Sequence, residues 1–149
     1  MNSQSIRYKR NLSSASEIVA HLQRCDDDFV PPLSTTVGID AYAHKLAANA
    51  ERFEAWVDDT LVGLVATYCN DHDRNSAFIT NVSVLPQAQG RGVAVKLMQA
   101  CIGHVREIGF NQLSLEVNDA NEAAAALYRK LGFFAAGERE PIQIMRLLL

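Results

Sequence analysis

At 149 residues, 48% hydrophobic and 21% charged, the chain has the size and composition of one ordinary globular domain, so residues 1–149 are read as a single unit. Fourteen Lys and Arg against 17 Asp and Glu give a net charge of −3, which argues against a broad electrostatic grip on nucleic acid or on an anionic membrane. Cys25, Cys69 and Cys101 form no disulfide framework, Met1 to Arg10 hold no apolar signal segment, and no apolar run approaches the roughly 18 residues of a membrane span. A soluble protein of the reducing cytoplasm is expected.

The chain opens on a short strand at Ser5 to Lys9, after which Ser14 and Glu17 form a capping box for a helix with Ile18, Val19 and Leu22 on its apolar stripe. Asp40 is expected to cap a second helix whose Tyr42, Ala43, Leu46 and Ala50 share a face. Phe53 to Val57 and Leu61 to Tyr68 read as a hairpin around Asp58-Asp59, and Ala77 to Leu85 as a further strand that Pro86 ends. A helix then follows Gly90-Arg91-Gly92, with Ala94, Leu97, Met98, Cys101, Val105 and Ile108 on one stripe and Gly109 at its end. Leu113, Leu115 and Val117 alternate with Ser114, Glu116 and Asn118 as a strand with one polar face. A last helix runs from an Asn121 cap to Gly132, before strands at Phe133 to Ala136 and Ile142 to Leu148. Hairpins come first and helix-linked strands later, which implies a mixed α/β sheet of six to seven strands, antiparallel at first and locally parallel in the middle, flanked by four helices.

The junction between Pro86 and the third helix is built to meet an anion. Successive backbone N–H groups and the positive helix end point outward there, and the glycines allow close approach to the main chain. The alternative is a tight turn that merely needs small residues. A dinucleotide fingerprint is a poor fit, because its third glycine position falls on Val95 and the unit lies mid-chain after hairpins.

Gln89-Gly90-Arg91-Gly92-Val93-Ala94, preceded by Val84-Leu85-Pro86, resembles the Gln/Arg-x-x-Gly-x-Gly/Ala motif of the GNAT acyltransferase superfamily. A second stretch agrees: Leu115-Glu116-Val117, then Asn121 and the run through Leu127-Tyr128 to Leu131-Gly132-Phe133. The resemblance covers the chain in detail from about Leu61 onward and the first third in element order only. It implies acetyl-CoA as co-substrate and no metal. Its pyrophosphate would lie on the backbone amides of Gln89, Gly90, Arg91, Gly92, Val93, Ala94 and Val95, and its pantetheine arm would pair like a strand with Val82 and Val84.

Further roles come with the resemblance. Arg91 could neutralise a CoA phosphate or stand solvated; Asn121 would hold the cofactor arm as well as cap its helix; Tyr128 would be the general acid beside the thioester sulfur, or a core residue. An acceptor amine is protonated at neutral pH and must lose a proton to attack. Glu116 resembles the proton acceptor of the ribosomal-protein N-terminal acetyltransferase branch, though it could be an ordinary polar strand residue. The Val82 N–H would polarise the carbonyl.

Other clusters read more plainly. Cys69, Asp71, His72 and Asp73 crowd one loop without zinc spacing, and turn residues suffice to explain them. His21, His44 and His104 are expected to be exposed or half-packed, Cys101 a buried small hydrophobe, and Asp26-Asp27-Asp28 a solvated run ahead of a proline-stiffened connection on the acceptor side. The connection between the last strands, Ala136 to Pro141, is short, whereas peptide N-terminal acetyltransferases tend to carry a longer loop there. The expected acceptor is therefore a small amine such as an amino sugar or polyamine, with a peptide or protein N-terminus as the alternative. From another class, a non-catalytic acyl-CoA sensor also fits. A monomer and a homodimer are equally open.

Overall fold

The computed structural model describes residues 5–149, so the first four residues of the amino-terminal stretch lie outside it. The chain runs β1 (Arg7–Arg10), α1 (Ala15–Cys25), α2 (Ile39–Asn49), β2 (Glu51–Val57), β3 (Thr60–Tyr68), β4 (Ser76–Val84), α3 (Val93–Glu107), β5 (Gln112–Asn118), α4 (Glu122–Lys130), β6 (Phe134–Arg139) and β7 (Ile142–Leu148). The strands form one seven-stranded sheet in the order β1-β2-β3-β4-β5-β7-β6. Every neighbouring pair is antiparallel except β4 and β5. The mixed α/β architecture with four helices is the one expected. Among the described residues, no helix is long and apolar enough to cross a membrane.

Two apolar clusters sandwich the sheet. One gathers Ile18, Leu22, Ala43 and Leu46 of α1 and α2 with Trp56, Leu61 and Leu64; the other gathers Leu97, Met98, Cys101 and Val105 of α3 with Val65, Leu113, Leu115 and Met145. Helix α1 starts as its sequence requires, with the Ser14 hydroxyl accepting from Glu17 N–H and the Glu17 carboxylate accepting from Ser14 N–H. Helix α2 differs from expectation. Gly38, not Asp40, is its N-cap, because Ile39 packs against the apolar cluster and draws the helix start forward. Asp40 then lies in the first turn, where its charge still favours the positive helix end. In α3 the buried stripe begins at Val93, which turns Ala94 toward a cleft instead of the core.

Beneath α1 and α2 lies a buried ion pair, Arg52 Nε to Glu54 Oε2 at 3.4 Å. Glu54 also accepts from Leu12 N–H, Ser13 N–H and Trp56 Nε1–H, and Arg52 donates to the carbonyls of Leu46, Ala47, Ala50 and Ser13. With both charges fully hydrogen-bonded, the pair fixes the β1–α1 junction and the end of α2 on one strand.

His21, expected at or near the surface, is only 2% exposed. It faces main chain that needs a donor: Nδ1–H donates to the Leu61 carbonyl at 2.9 Å, and Nε2 lies 2.9 Å from the Ser83 hydroxyl oxygen. Burial lowers its pKa to about 4, so the ring is neutral at physiological pH.

The sheet splits between β4 and β5. Strands β4 and β5 pair in parallel only up to Ile79 opposite Leu115, and past that point they part. The antiparallel register with β3 jumps from Thr67↔Ile79 to Ala66↔Asn81, leaving Thr80 as the extra residue of a β-bulge. Tyr42 of α2 donates its hydroxyl to the Thr80 carbonyl at 2.9 Å and pins the bulge. The extra residue reverses the pleat, so that Val82 and Val84 stay on the α3 side while Ser83 turns toward His21 on α1.

Candidate active site

The split opens a trough bounded by β4, β5, α4 and the connection between α1 and α2. Leu85 N–H donates to the Val62 carbonyl at 2.8 Å, so strand alternation turns the main-chain groups of Val82 and Val84 away from β3 and into the trough, beyond the end of the β5 ladder. Three cavities follow one another along it. The first, of about 140 Å³, is lined by Phe29, Thr80, Glu116, Asn121 and Tyr128. The second, of about 230 Å³, shares Tyr128 and Asn121 and continues over Val82, Val84, Gln89 and Ala94. The third, also about 230 Å³, is formed by the turn itself at Gly90, Gly92, Val93, Ala94 and Val95.

That turn takes the shape its glycines permit. Gly90 and Gly92 have φ of 78° and 75°, in the left-handed region, and Gly92 is the N-cap of α3 without a capping side chain. The first amides of α3 are thus left facing solvent at the positive end of a 15-residue helix. Gln89 works as a brace: its Nε2 donates to the Val84 carbonyl and to Asp28 Oδ2, both at 3.1 Å, tying the turn to β4 and to the α1–α2 connection. Arg91 is exposed on the far side of the turn, where it lines a separate cavity with Arg24 and Asp58. Val95 is 36% exposed on the first turns of α3.

On the opposite wall, Asn121 Oδ1 accepts from Ala124 N–H at 3.2 Å, capping α4 while the residue lines two of the cavities. Tyr128 follows two helical turns later and is 7% exposed, its ring packed 6.0 Å from that of Phe133. No side chain or carbonyl among the described residues hydrogen-bonds its hydroxyl, and burial raises its pKa to about 12. The phenol is therefore a proton donor at any physiological pH. Glu116 lines the first cavity from β5, with 42% of its side chain exposed, and Arg139 Nη2 of β6 stands 4.0 Å from its Oε1.

The trough thus brings together Val82, Val84, Gln89, Ala94, Asn121, Glu116 and Tyr128, and leaves Arg91 outside. It also contains residues that sequence reasoning passed over. The run read as solvated contributes Asp28 to the brace and is followed by Phe29 and Val30 in the lining. Thr80 and Arg139 had no signal beyond their types. The crowded loop at Asp71 is a turn, as its residues suggest: Asp71 accepts from the N–H groups of Asp73, Asn75 and Ser76. No group of three or more His, Cys, Asp or Glu suited to a metal occurs among the described residues. All three thiols are pushed up by burial, Cys25 and Cys101 to about 12 and Cys69 to about 11.

A seven-stranded sheet split beside its single parallel pair, with a glycine turn at the base of the split, is the GNAT type of α/β architecture. Residues 16–133 match the model of the Acetyltransferase (GNAT) family, and the chain belongs to that family. It is 48% identical over 52 residues to the mycothiol acetyltransferase of Paenarthrobacter aurescens, a stretch that is 35% of this chain and 16% of that protein. The ribosomal-protein-S18-alanine N-acetyltransferase of Escherichia coli shares the fold with a TM-score of 0.77 at 23% identity, over 97% of this chain and 94% of that one. The PaiA N-acetyltransferase of Thermoplasma acidophilum, solved in complex with coenzyme A, has a TM-score of 0.77 at 14% identity, over 97% and 99% of the two chains.

Proposed function

We propose that the chain is an N-acetyltransferase that moves the acetyl group of acetyl-CoA to a primary amine by direct attack in a ternary complex. The observation that carries this reading is the continuity of the trough, which joins the glycine turn, the unpaired main chain of Val82 and Val84, Tyr128 and Glu116 in one path. The pyrophosphate would rest on the turn amides, and the pantetheine arm would add alongside β4, using backbone groups that β5 leaves unpaired. The Val84 carbonyl is already taken by Gln89, which leaves Val82 and the Val84 N–H for the arm.

The chemistry then follows from the two walls. The amine nitrogen attacks the thioester carbon, forming the C–N bond while the C–S bond breaks. Glu116 takes the first proton of the ammonium, directly or through one water, Tyr128 gives its phenolic proton to the departing thiolate, and the second proton shed by the nitrogen after the C–N bond forms returns to the phenolate. The Val82 N–H stabilises the oxyanion. A covalent acetyl-enzyme is disfavoured because no cysteine is a thiolate near neutrality.

A small amine fits the acceptor end better than a long peptide, since β6 and β7 are joined by only Glu140 and Pro141 and no longer loop closes over the site. Glu116 favours the second reading, a peptide N-terminus. The test is thiol release from acetyl-CoA across amines, with CoA affinity measured on the same preparation. Turnover with at least one amine is expected; tight CoA binding without turnover would make the protein a sensor.

A further inference from the structure

The sheet face that bears Glu116 carries basic side chains that the transfer chemistry does not use. Residues directly opposite on paired strands share a face. The registers Tyr68↔Phe78, Phe78↔Ser114, Ser114↔Arg146 and Arg146↔Phe134 therefore set one row across β3, β4, β5, β7 and β6. Glu116, opposite Ile144, lies on this face two residues further along β5, roughly 7 Å from the row at the rise of a strand.

Arg146 is the unusual member of that row. Its Nε is buried without a hydrogen-bond partner, and it makes no ion pair among the described residues. Two further cations flank the same face. Arg139 reaches Glu116 from β6 at 4.0 Å, and Lys45 of α2 lies over the Tyr68 ring at 5.4 Å. The Tyr68 hydroxyl is likewise buried and unpartnered. A molecule whose amine sits at Glu116 and that extends along this face toward β7 meets Arg146, a buried donor in need of an acceptor, with Arg139 beside it. A carboxylate satisfies a guanidinium in both charge and shape, whereas a polyamine would be repelled.

We infer that the acceptor is a primary amine that also carries a carboxylate, with Glu116 receiving the ammonium and Arg146, aided by Arg139, holding the carboxylate. The separation of about two strand residues suits a dipeptide or an amino acid of similar span. This inference rests on the acetyl-transfer reading and narrows it.

The test compares a dipeptide, glycylglycine, with its C-terminal amide, which has the same size and the same amine but no carboxylate. For the unaltered protein, kcat/KM should be about tenfold or more higher for the acid, the range of a hydrogen bond to a charged group. Arg146→Met should bring that ratio close to one, mainly through the KM of the acid, while the KM for acetyl-CoA stays put. Arg146→Lys should retain part of the preference. Arg139→Gln, at an exposed position, should lower the same ratio. Because Arg146→Met deletes an unpaired buried N–H, it should melt no lower than the unaltered protein. A ratio near one in the unaltered protein, a preference that survives Arg146→Met, turnover confined to polyamines or amino sugars, or a collapse in melting temperature would each overturn the inference. Absence of turnover with every amine, by protein that binds CoA, would instead overturn the acetyl-transfer reading beneath it.

Discussion

In the proposed reaction Tyr128 and Glu116 divide the proton transfers between opposite walls of one cavity, and each can be altered almost without changing shape. Tyr128→Phe removes one oxygen from a ring held by Phe133. Turnover should fall by about one to three orders of magnitude, because a CoA thiolate leaves moderately well unaided, while CoA affinity and melting temperature hold. A fully active, stable Phe variant would falsify the acid role. Glu116→Gln should lower turnover at neutral pH by roughly 10²–10⁴, with partial recovery at high pH where the acceptor is already a free amine. An unchanged pH–rate profile would assign the proton to another group. Burial also fixes where Tyr128 titrates. With its pKa raised to about 12, the phenol remains protonated through the alkaline range, so the unaltered enzyme should show no falling limb below about pH 10 that Tyr128→Phe removes. These residues were legible in the sequence through the resemblance of Leu115-Glu116-Val117 and the stretch from Asn121 to Phe133 to the GNAT superfamily. Arg139 and Arg146 were not, since they meet Glu116 only through the β5-β7-β6 order, 23 and 30 residues away along the chain.

At the scale of elements, the trough depends on how β4 is held. Helix α1 is fastened to β3 and β4 by a neutral His21, and this makes the fastening sensitive to acid. The unfolded chain takes up the imidazole proton near 6.5, the folded chain only near 4, so the His21 contribution to stability is constant above pH 7 and falls as pH drops from 6.5 to 4. The full loss amounts to about 3 kcal/mol. Thermal melts across this window should show the decline, and His21→Gln, which cannot charge, should flatten it while lowering stability at pH 7. A His21→Gln variant with the original pH slope would assign that slope to other groups. The glycine turn is the second element. At Gly92, φ of 75° disfavours any side chain, and Gly92→Glu would place a carboxylate where the pyrophosphate must approach, so it should abolish CoA binding in a folded protein by calorimetry. Near-normal affinity would remove the pyrophosphate from this turn. Apolar runs made β2, β3 and β4 legible, alternation did so for β5, and Pro86 with the two glycines located the turn. The Thr80 bulge was hidden because it exists only as a mismatch between β3 and β4, and His21 was hidden because its partners, Leu61 and Ser83, lie 40 and 62 residues away.

The whole molecule places two kinds of chemistry at the two ends of one split. The glycine turn follows the end of β4, whereas Glu116 lies just past the point where β4 and β5 part and Arg146 stands level with Ser114 in the paired stretch, so a long cofactor and a short acceptor would meet at Tyr128. The proposed direct transfer requires both to be present together, since among the described residues no cysteine is a thiolate near neutrality that could hold the acetyl group in between. Initial rates measured with acetyl-CoA and an accepted amine varied against each other test this most directly. Double-reciprocal lines that intersect are expected, as a ternary complex demands. Parallel lines, accompanied by an acetyl group covalently attached to the protein, would contradict the account.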